Sequence, residues 1–457
     1  MATMKFQKNQ HYQGQVADLN TQGAGVVKID GFPFFVEGVI PGEEIAFKAT
    51  KVKKNYGFGR LEKIITISPD RVELKDDLGR QIGTMTLQHM NYSSQLAYKQ
   101  KVVKDAFQRL GHFDDIEVAP TLASDRQWQY RNKAQIPVRA LKGQLQTGFF
   151  RKNSHVLVAV EDFHIQEPDI DRAILLVRDL LRQYQISPYN EADHLGDIRH
   201  IIIKRGYYSK EMMVVLVTRQ KQVKGLQNLA EAIAKALPEV VSIMQNIQDQ
   251  RTNVIMGRDN HCLWGQDYLE DEMLGNRLRI SAHSFYQVNT PQAEKLYQVG
   301  IDRAQLTGRE TVLDAYCGIG SISLALAKHA KEVYAMEIVP EAIEMAKQNA
   351  QLNHIDNVHF QAGPAETILP QWQSNGIHFD VAVVDPPRKG LDSQFIQTLV
   401  ELCPDRIVYI SCNPASCARD CRQFADVGYQ VQTVQPVDMF PQTVHVETVV
   451  LIEKVKE

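Results

Sequence analysis

The sequence predicts a chain of three parts: a small antiparallel β-barrel over residues 5–64, a mixed α+β domain over 70–280, and an α/β domain over 281–457. Three observations support this. Short strands broken by glycine fill the N-terminal segment, with a turn about every 8–12 residues. Helical and strand-like stretches mix through the middle. After residue 281, strands and helices alternate strictly, the pattern of a parallel sheet with right-handed crossovers. A length of 457 residues suits about two to four domains with a substantial core.

The first part reads "HYQGQVADLN", "GAGVVKID", "GFPFFVEGV", "EEIAFKATKVKK" and "YGFGRLEKII". Its period-two alternation suits an OB-like barrel, and Ser68-Pro69-Asp70 marks its end. In the middle part, "SSQLAYKQKVVKDAFQRL" has helical periodicity and stops at Gly111, and "RHIIIKRGYYSKEMMVVLVT" reads as a hairpin turning near Tyr208-Ser209. The last part runs through "TVLDAY", "SISLALAKHA", "EVYAME", "PEAIEMAKQNAQLN", "VHF", "FDVAVVDPP", "SQFIQTLVELC", "RIVYIS" and "ASCARDCRQFADVG" to a final strand pair. Such Rossmann-like sheets bind ligands at the carboxyl ends of their strands.

An apolar fraction of 44% and a charged fraction of 23% are those of a soluble globular protein. No apolar run approaches the roughly 20 residues of a membrane span, and "MATMKFQKNQHYQG" offers no secretion signal. A cytoplasmic protein without membrane contact, and a monomer, is expected. Six cysteines, none before Cys262, exclude a disulfide scaffold. Cys417 and Cys421 stand at helical spacing, without the paired ligands of a metal site. The net charge is −3, but nine Lys or Arg against six acids leave residues 1–64 at +3. Those cations bunch around aromatics in "FKATKVKKNYGFGR", a composition suited either to phosphate contacts with base stacking or to an exposed hairpin.

"LDAYCGIGS" (313–321) ends the first strand of the last part in a glycine turn, where Gly318 and Gly320 let backbone approach a ligand. Glu337 ends the second strand, 23 residues after Asp314, where a carboxylate can accept from two ribose hydroxyls. Both features fit NAD as well as S-adenosyl-L-methionine. "VVDPPRKG" (383–390) separates them. An Asp-Pro-Pro turn after the fourth strand stiffens the loop facing a bound nucleoside; dehydrogenases have no need of it, and nucleic-acid base methyltransferases often use one.

"VYISCNPASCARD" (408–420) puts Cys412 after a strand and before Asn413-Pro414, with proline at a first helical position. The positive end of a helix dipole favours the thiolate, the nucleophilic form. In "HVETVVLIE", Glu447 begins the last strand and can reach the same mouth. A cysteine facing a carboxylate beside a methyl donor suits one chemistry. Carbon 5 of uracil becomes nucleophilic once a thiolate adds to carbon 6, and a base must then take the carbon-5 proton so that the thiolate leaves.

At this point the residues resemble the RNA uracil-5-methyltransferases. Ser411-Cys412-Asn413-Pro414, Asp385-Pro386-Pro387-Arg388, His445-Val446-Glu447 and "SFYQVNTPQAEKLY" (284–297) look like that family's motifs. The resemblance implies that Gln287, Tyr316, Glu337 and Asp385 bind S-adenosylmethionine, that Cys412 is the nucleophile and that Glu447 is the base. Residues 5–64 look like a TRAM domain, the small RNA-binding barrel of the family's ribosomal branch. "YRNKAQIPV", "GFFRKNSH" and "SIMQNIQDQRTNVIMG" resemble the family's central domain. Many members hold a [4Fe–4S] cluster on four cysteines, but the corresponding positions here are Asp76, Ile82, Met85 and Phe163. None supplies a thiolate, so no iron–sulfur cluster is expected, and the apolar side chains are expected to fill its place.

The activity expected is formation of 5-methyluridine in 23S ribosomal RNA, at one site or two. The same chemistry on the T-loop of transfer RNA is the nearest rival; the barrel and the three-part length favour ribosomal RNA. A 5-methylcytidine enzyme carries its cysteine in a Pro-Cys or Thr-Cys context with a second cysteine, which Ser411-Cys412 paired with Glu447 does not match. A non-catalytic RNA-binding assembly factor would not need Cys412, Glu447 and the cofactor residues intact. Arg131, Lys133, Arg151, Lys152, Lys204 and Arg205 are candidate phosphate contacts of the central part or, equally, solvated strand faces.

Overall fold

The structure, a computed structural model, describes residues 6–455. Residues 1–5 and 456–457 lie outside the described residues, and with them the outer limits of the first and last parts, Lys5 and the start of the segment read as lacking a secretion signal.

Strands β1 (His11–Leu19), β2 (Gly25–Ile29), β3 (Phe32–Val36), β4 (Glu44–Val52) and β5 (Gly57–Thr66) close into a barrel in the order β1-β2-β3-β5-β4. β3 and β5 pair in parallel, the other neighbours antiparallel. Alternate residues point inward, and Val16, Val27, Phe34, Val36, Ile45 and Phe47 form the core. The basic aromatic stretch therefore divides. Phe47 is interior, whereas Tyr56 and Phe58 join Phe35 in a partly exposed group with ring centroids 5.6–6.0 Å apart, and the Lys53 ammonium lies 5.2 Å from the Tyr56 ring.

A short helix α1 (Leu78–Ile82) leads to α2 (Tyr92–Arg109), whose Asn91 cap accepts from the Ser94 amide at 2.9 Å. The central sheet consists of β6 (Lys133–Leu141), β7 (Gln144–Phe150), β8 (Leu157–Ala159), β9 (Ile198–Arg205), β10 (Met212–Thr218), β11 (Val240–Ile247) and β12 (Asp259–Gly265). Their order is β12-β11-β10-β9-β6-β7-β8. Helices α3 (Pro168–Gln183) and α4 (Leu226–Ala236) cover one face. The other packs on the hairpin β13 (Tyr268–Met273) and β14 (Asn276–Ser281), in one apolar cluster with the C-terminal sheet.

The C-terminal part begins with α5 (Thr290–Ala304) and continues through β15 (Thr311–Ala315), α6 (Ser321–Ala327), β16 (Glu332–Glu337), α7 (Pro340–Leu352), β17 (Val358–Ala362), α8 (Ala365–Ser374), β18 (Val381–Val384), α9 (Ser393–Leu402), β19 (Arg406–Ser411), α10 (Pro414–Ala425), β20 (Tyr429–Val437) and β21 (Glu447–Lys454). The sheet runs β17-β16-β15-β18-β19-β21-β20. Six strands run in one direction, and β21 returns antiparallel between β19 and β20. The chain order reverses between β15 and β18, which opens a crevice at the carboxyl ends there.

Packing does not follow chain order. Val103, Ala106 and Phe107 of α2 join the apolar cluster under the C-terminal sheet. Fully buried Lys99 pairs with fully buried Asp438, between β20 and β21, and also donates to the Phe440 carbonyl at 3.0 Å. Helix α2, in the stretch read as central, thereby braces the segment that leads into Glu447.

Candidate active site

Of the candidate site residues in the C-terminal part, Gln287 lies in the segment before α5, and the others lie at one end of the sheet. Tyr316 follows β15, Glu337 ends β16, Asp385 follows β18 and Cys412 follows β19. Glu447 opens the antiparallel β21, so it lies at that end too. Ser411 pairs with Thr448, and the Thr448 hydroxyl donates to the Ser411 carbonyl at 3.2 Å. Cys412 and Glu447 are the next residues beyond that pair, near enough for the Glu447 carboxylate to act on the thiol.

Local sequence explains this placement. Asn413 caps α10 by accepting from the Ala415 amide at 3.2 Å, with Pro414 in the first turn. The Asn413 amide and the Ser416 hydroxyl both donate to the Arg388 carbonyl, at 2.9 and 3.2 Å. The Asp-Pro-Pro-Arg turn is thus fastened to the start of the helix behind Cys412. Arg388 donates from its guanidinium to His445 Nδ1 at 3.1 Å, joining the turn to the segment before Glu447.

Gly318, at φ 56°, would point a Cβ into open space, so its backbone conformation and not crowding favours glycine. Gly320, at φ 86°, holds a backbone conformation that glycine adopts freely, and a Cβ there would meet Ala346 and Phe360 at a tight 3.3 Å. Glu337 accepts from the Gly318 and Val339 amides at 3.3 and 3.1 Å. Gln287 donates to the Tyr297 hydroxyl at 3.2 Å, and the backbone at Tyr316 adopts φ 71°.

The electrostatics are those of an acidic crevice. Burial pushes Asp385 up to about 7, and Glu447 up to about 8 with help from Asp385 against Arg388. Asp314, bonded to the Ser323 hydroxyl, rises to about 7 by burial and the nearby Asp385 and Glu337. The Cys412 thiol stands at about 11, raised by burial and then by Glu447 and Asp385. This reverses the thiolate expected from the helix start alone, because two carboxylates and desolvation outweigh one dipole. Asp314 and the Arg388–His445 contact were not assigned from sequence. The carboxylates that act on Asp314, and the His445 partner of Arg388, lie tens of residues away in the chain.

Residues 91–455 match the family described as tRNA (Uracil-5-)-methyltransferase, and residues 7–61 match the TRAM domain. The chain belongs to the RNA uracil-5-methyltransferase family. An RNA methyltransferase of Lactiplantibacillus plantarum, named as uncharacterized, is 52% identical over 440 residues, 96% of either chain. A second so named, from Enterococcus faecalis, is 47% identical over 454 residues, 99% of either chain. Among solved structures, the tRNA (uracil-54, C5)-methyltransferase of Pyrococcus abyssi, in complex with S-adenosyl-L-homocysteine, matches with a TM-score of 0.76 and 27% identity. That match covers 96% of this chain and 99% of that one.

This member of the family is an S-adenosylmethionine-dependent RNA methyltransferase. Its crevice fits the cofactor: buried acids held well above their ordinary range are stabilised as anions by a ligand bearing sulfonium and ammonium charge. The residues do not fit an iron–sulfur cluster. Ile82, Met85 and Phe163 pack with Tyr130 and Ile165 into an apolar cluster, and Asp76 lies 3.0 Å from His164 and accepts from the Leu78 amide. Among the described residues no helix is long and apolar enough to cross a membrane.

Proposed function

We propose that this methyltransferase converts uridine to 5-methyluridine in 23S ribosomal RNA through a covalent cysteine adduct. The observation that carries the reading is that Cys412, just past the Ser411–Thr448 pair of β19 and β21, lies where the Glu447 and Asp385 carboxylates act on its thiol. Gln287, Tyr316, Glu337 and Asp385 hold S-adenosylmethionine, which when bound supplies an electrophilic methyl group at the crevice. The Cys412 thiol gives its proton up to solvent, its sulfur bonds to carbon 6 of the uracil, and the electron pair of the opened carbon 5–carbon 6 double bond makes carbon 5 nucleophilic. Once carbon 5 carries the methyl group, Glu447 takes its proton, the ring double bond re-forms and the thiolate leaves. Arg388 holds His445, and with it the approach to Glu447. Reaching carbon 6 requires the uridine to leave its stack.

Ribosomal RNA as the substrate rests on the barrel, which adds a basic, partly aromatic surface to the chain. Methylation of the transfer RNA T-loop is the second reading. The Pyrococcus protein favours it, since that match spans 96% of this chain, and so most of the barrel, in a protein named for tRNA. The test is methyl transfer to unmodified 23S and transfer RNA transcripts, with nucleoside analysis of the product. Wild-type protein is expected to form 5-methyluridine in 23S RNA. Cys412→Ala is expected to form none, and Glu447→Gln to accumulate a protein–RNA adduct that survives denaturation. Full activity of Cys412→Ala rules out the covalent route, and activity on transfer RNA alone rules out the ribosomal substrate.

A further inference from the structure

The structure divides the six basic side chains of the central motifs. The Lys204 ammonium is buried and donates to the Ser281 and Ser284 carbonyls at 2.8 and 2.9 Å. Arg205 pairs with Glu167 and, at 2.7 Å, with Asp169. Lys152 pairs with Glu37 of the barrel at 2.8 Å. Arg151 is exposed in the turn after β7, where a cation is simply solvated. Arg131 and Lys133 differ from all four. Both are half-buried, and neither is paired with an acid among the described residues.

Their location is set by anchors on either side of Arg131. The Tyr130 hydroxyl donates to the Pro441 carbonyl at 3.0 Å, fixing it to the segment that runs on to His445 and Glu447. Asn132 donates to the Gln287 carbonyl at 3.1 Å and the Thr290 hydroxyl at 3.0 Å, and its amide donates to the Val288 carbonyl at 2.9 Å. Arg131 is thereby held between the two loops that border the active site. On an extended segment, residues two apart share a side, so Lys133 follows Arg131 in the same direction, about 7 Å along. Arg131 also acts on the site: with Arg388 and Lys99 it adds to the burial that pushes His445 down to about 4. A half-buried cation without a counter-charge costs free energy in the free protein, and an arriving anion removes that cost.

We propose that Arg131 and Lys133 bind the phosphodiester groups flanking the uridine that enters the active site. The inference rests on the RNA-methylation reading and adds to it how the substrate backbone is registered. The Arg131 fork takes two oxygens of the phosphate nearest the extruded nucleotide, and the Lys133 point charge takes the next. Phosphate contacts of this kind position the strand without reading its sequence.

The experiment is binding of unmodified 23S and transfer RNA transcripts to Arg131→Gln, Lys133→Gln and Arg131→Lys across a range of salt, alongside methyl-transfer kinetics. Each Gln variant is expected to raise Kd and KM roughly tenfold and to flatten the slope of log K against log salt by about 0.7–1. Their affinity for S-adenosylhomocysteine is expected to stay at the wild-type value, and their melting temperature is expected not to fall. Arg131→Lys is expected to restore the slope and only part of the affinity, since it keeps the charge and loses the fork. An unchanged salt slope in both Gln variants overturns the inference. So does a parallel loss of cofactor affinity and melting temperature in both, which marks a structural role. Failure of the functional reading looks different: wild-type protein then forms no 5-methyluridine in either transcript, whatever the salt slopes show.

Discussion

Cys412 precedes a helix whose positive end favours its thiolate, yet burial and the Glu447 and Asp385 carboxylates hold the thiol at about 11. Glu447, at about 8, is neutral at lower pH and becomes an anion facing the sulfur above it. The two groups therefore oppose each other's ionisation in the free protein. Glu447→Gln is expected to speed Cys412 alkylation by iodoacetamide several-fold at pH 8.5, where it removes a charge, and to have little effect at pH 6.5, where Glu447 is already neutral. Peptide-resolved mass spectrometry separates Cys412 from exposed Cys262; equal rates for both proteins at pH 8.5 contradict the coupling. Cys412 and Glu447 were legible in the sequence because their motifs are contiguous strings. The thiol's protonation was not, because it depends on carboxylates 27 and 35 positions away. Arg131 was legible only as one cation among six, since pairing with an acid, or its lack, is a property of the folded chain.

At the scale of elements, local periodicity was an adequate guide where an element is held by its own pattern. The barrel strands, the hairpin of β9 and β10 and the alternation from β15 to β20 follow from period, turns and caps. Helix α2 was legible as a helix but not as a brace for the C-terminal sheet, since a contact across more than 300 residues leaves no trace in its own heptads. Its energetic weight is open to measurement. Lys99→Met leaves Asp438 buried without its cation, and a cost of about 3–5 kcal/mol is expected in denaturant unfolding. Adding Asp438→Asn is expected to recover most of it, as the uncompensated charge is gone. Stability of Lys99→Met within 1 kcal/mol of wild type, about the net value of one ordinary hydrogen bond, contradicts the buried pair as a brace.

For the whole molecule, a net charge of −3 conceals an acidic crevice and a basic N-terminal segment. Asp314 and Asp385 at about 7 and Glu447 at about 8 retain protons in the folded chain that they release near 4 when unfolded. The folded state binds more protons between those limits, so stability is fully present near pH 4 and is lost as pH rises to about 8. For these groups the ligand-free protein is expected to melt lower at pH 8 than at pH 5.5. Glu447→Gln is expected to flatten that fall, and S-adenosylmethionine to raise the melting temperature more at pH 8 than at pH 5.5. A melting temperature that falls as steeply in Glu447→Gln as in wild type contradicts the acidic crevice.

The central claim, uridine methylation in ribosomal RNA, is tested most directly in cells with and without this gene, by mass spectrometry of nucleosides from separated 23S and transfer RNA. Loss of 5-methyluridine from 23S RNA alone is the expected result, its size distinguishing one site from two. Loss from transfer RNA alone, or from neither, contradicts it.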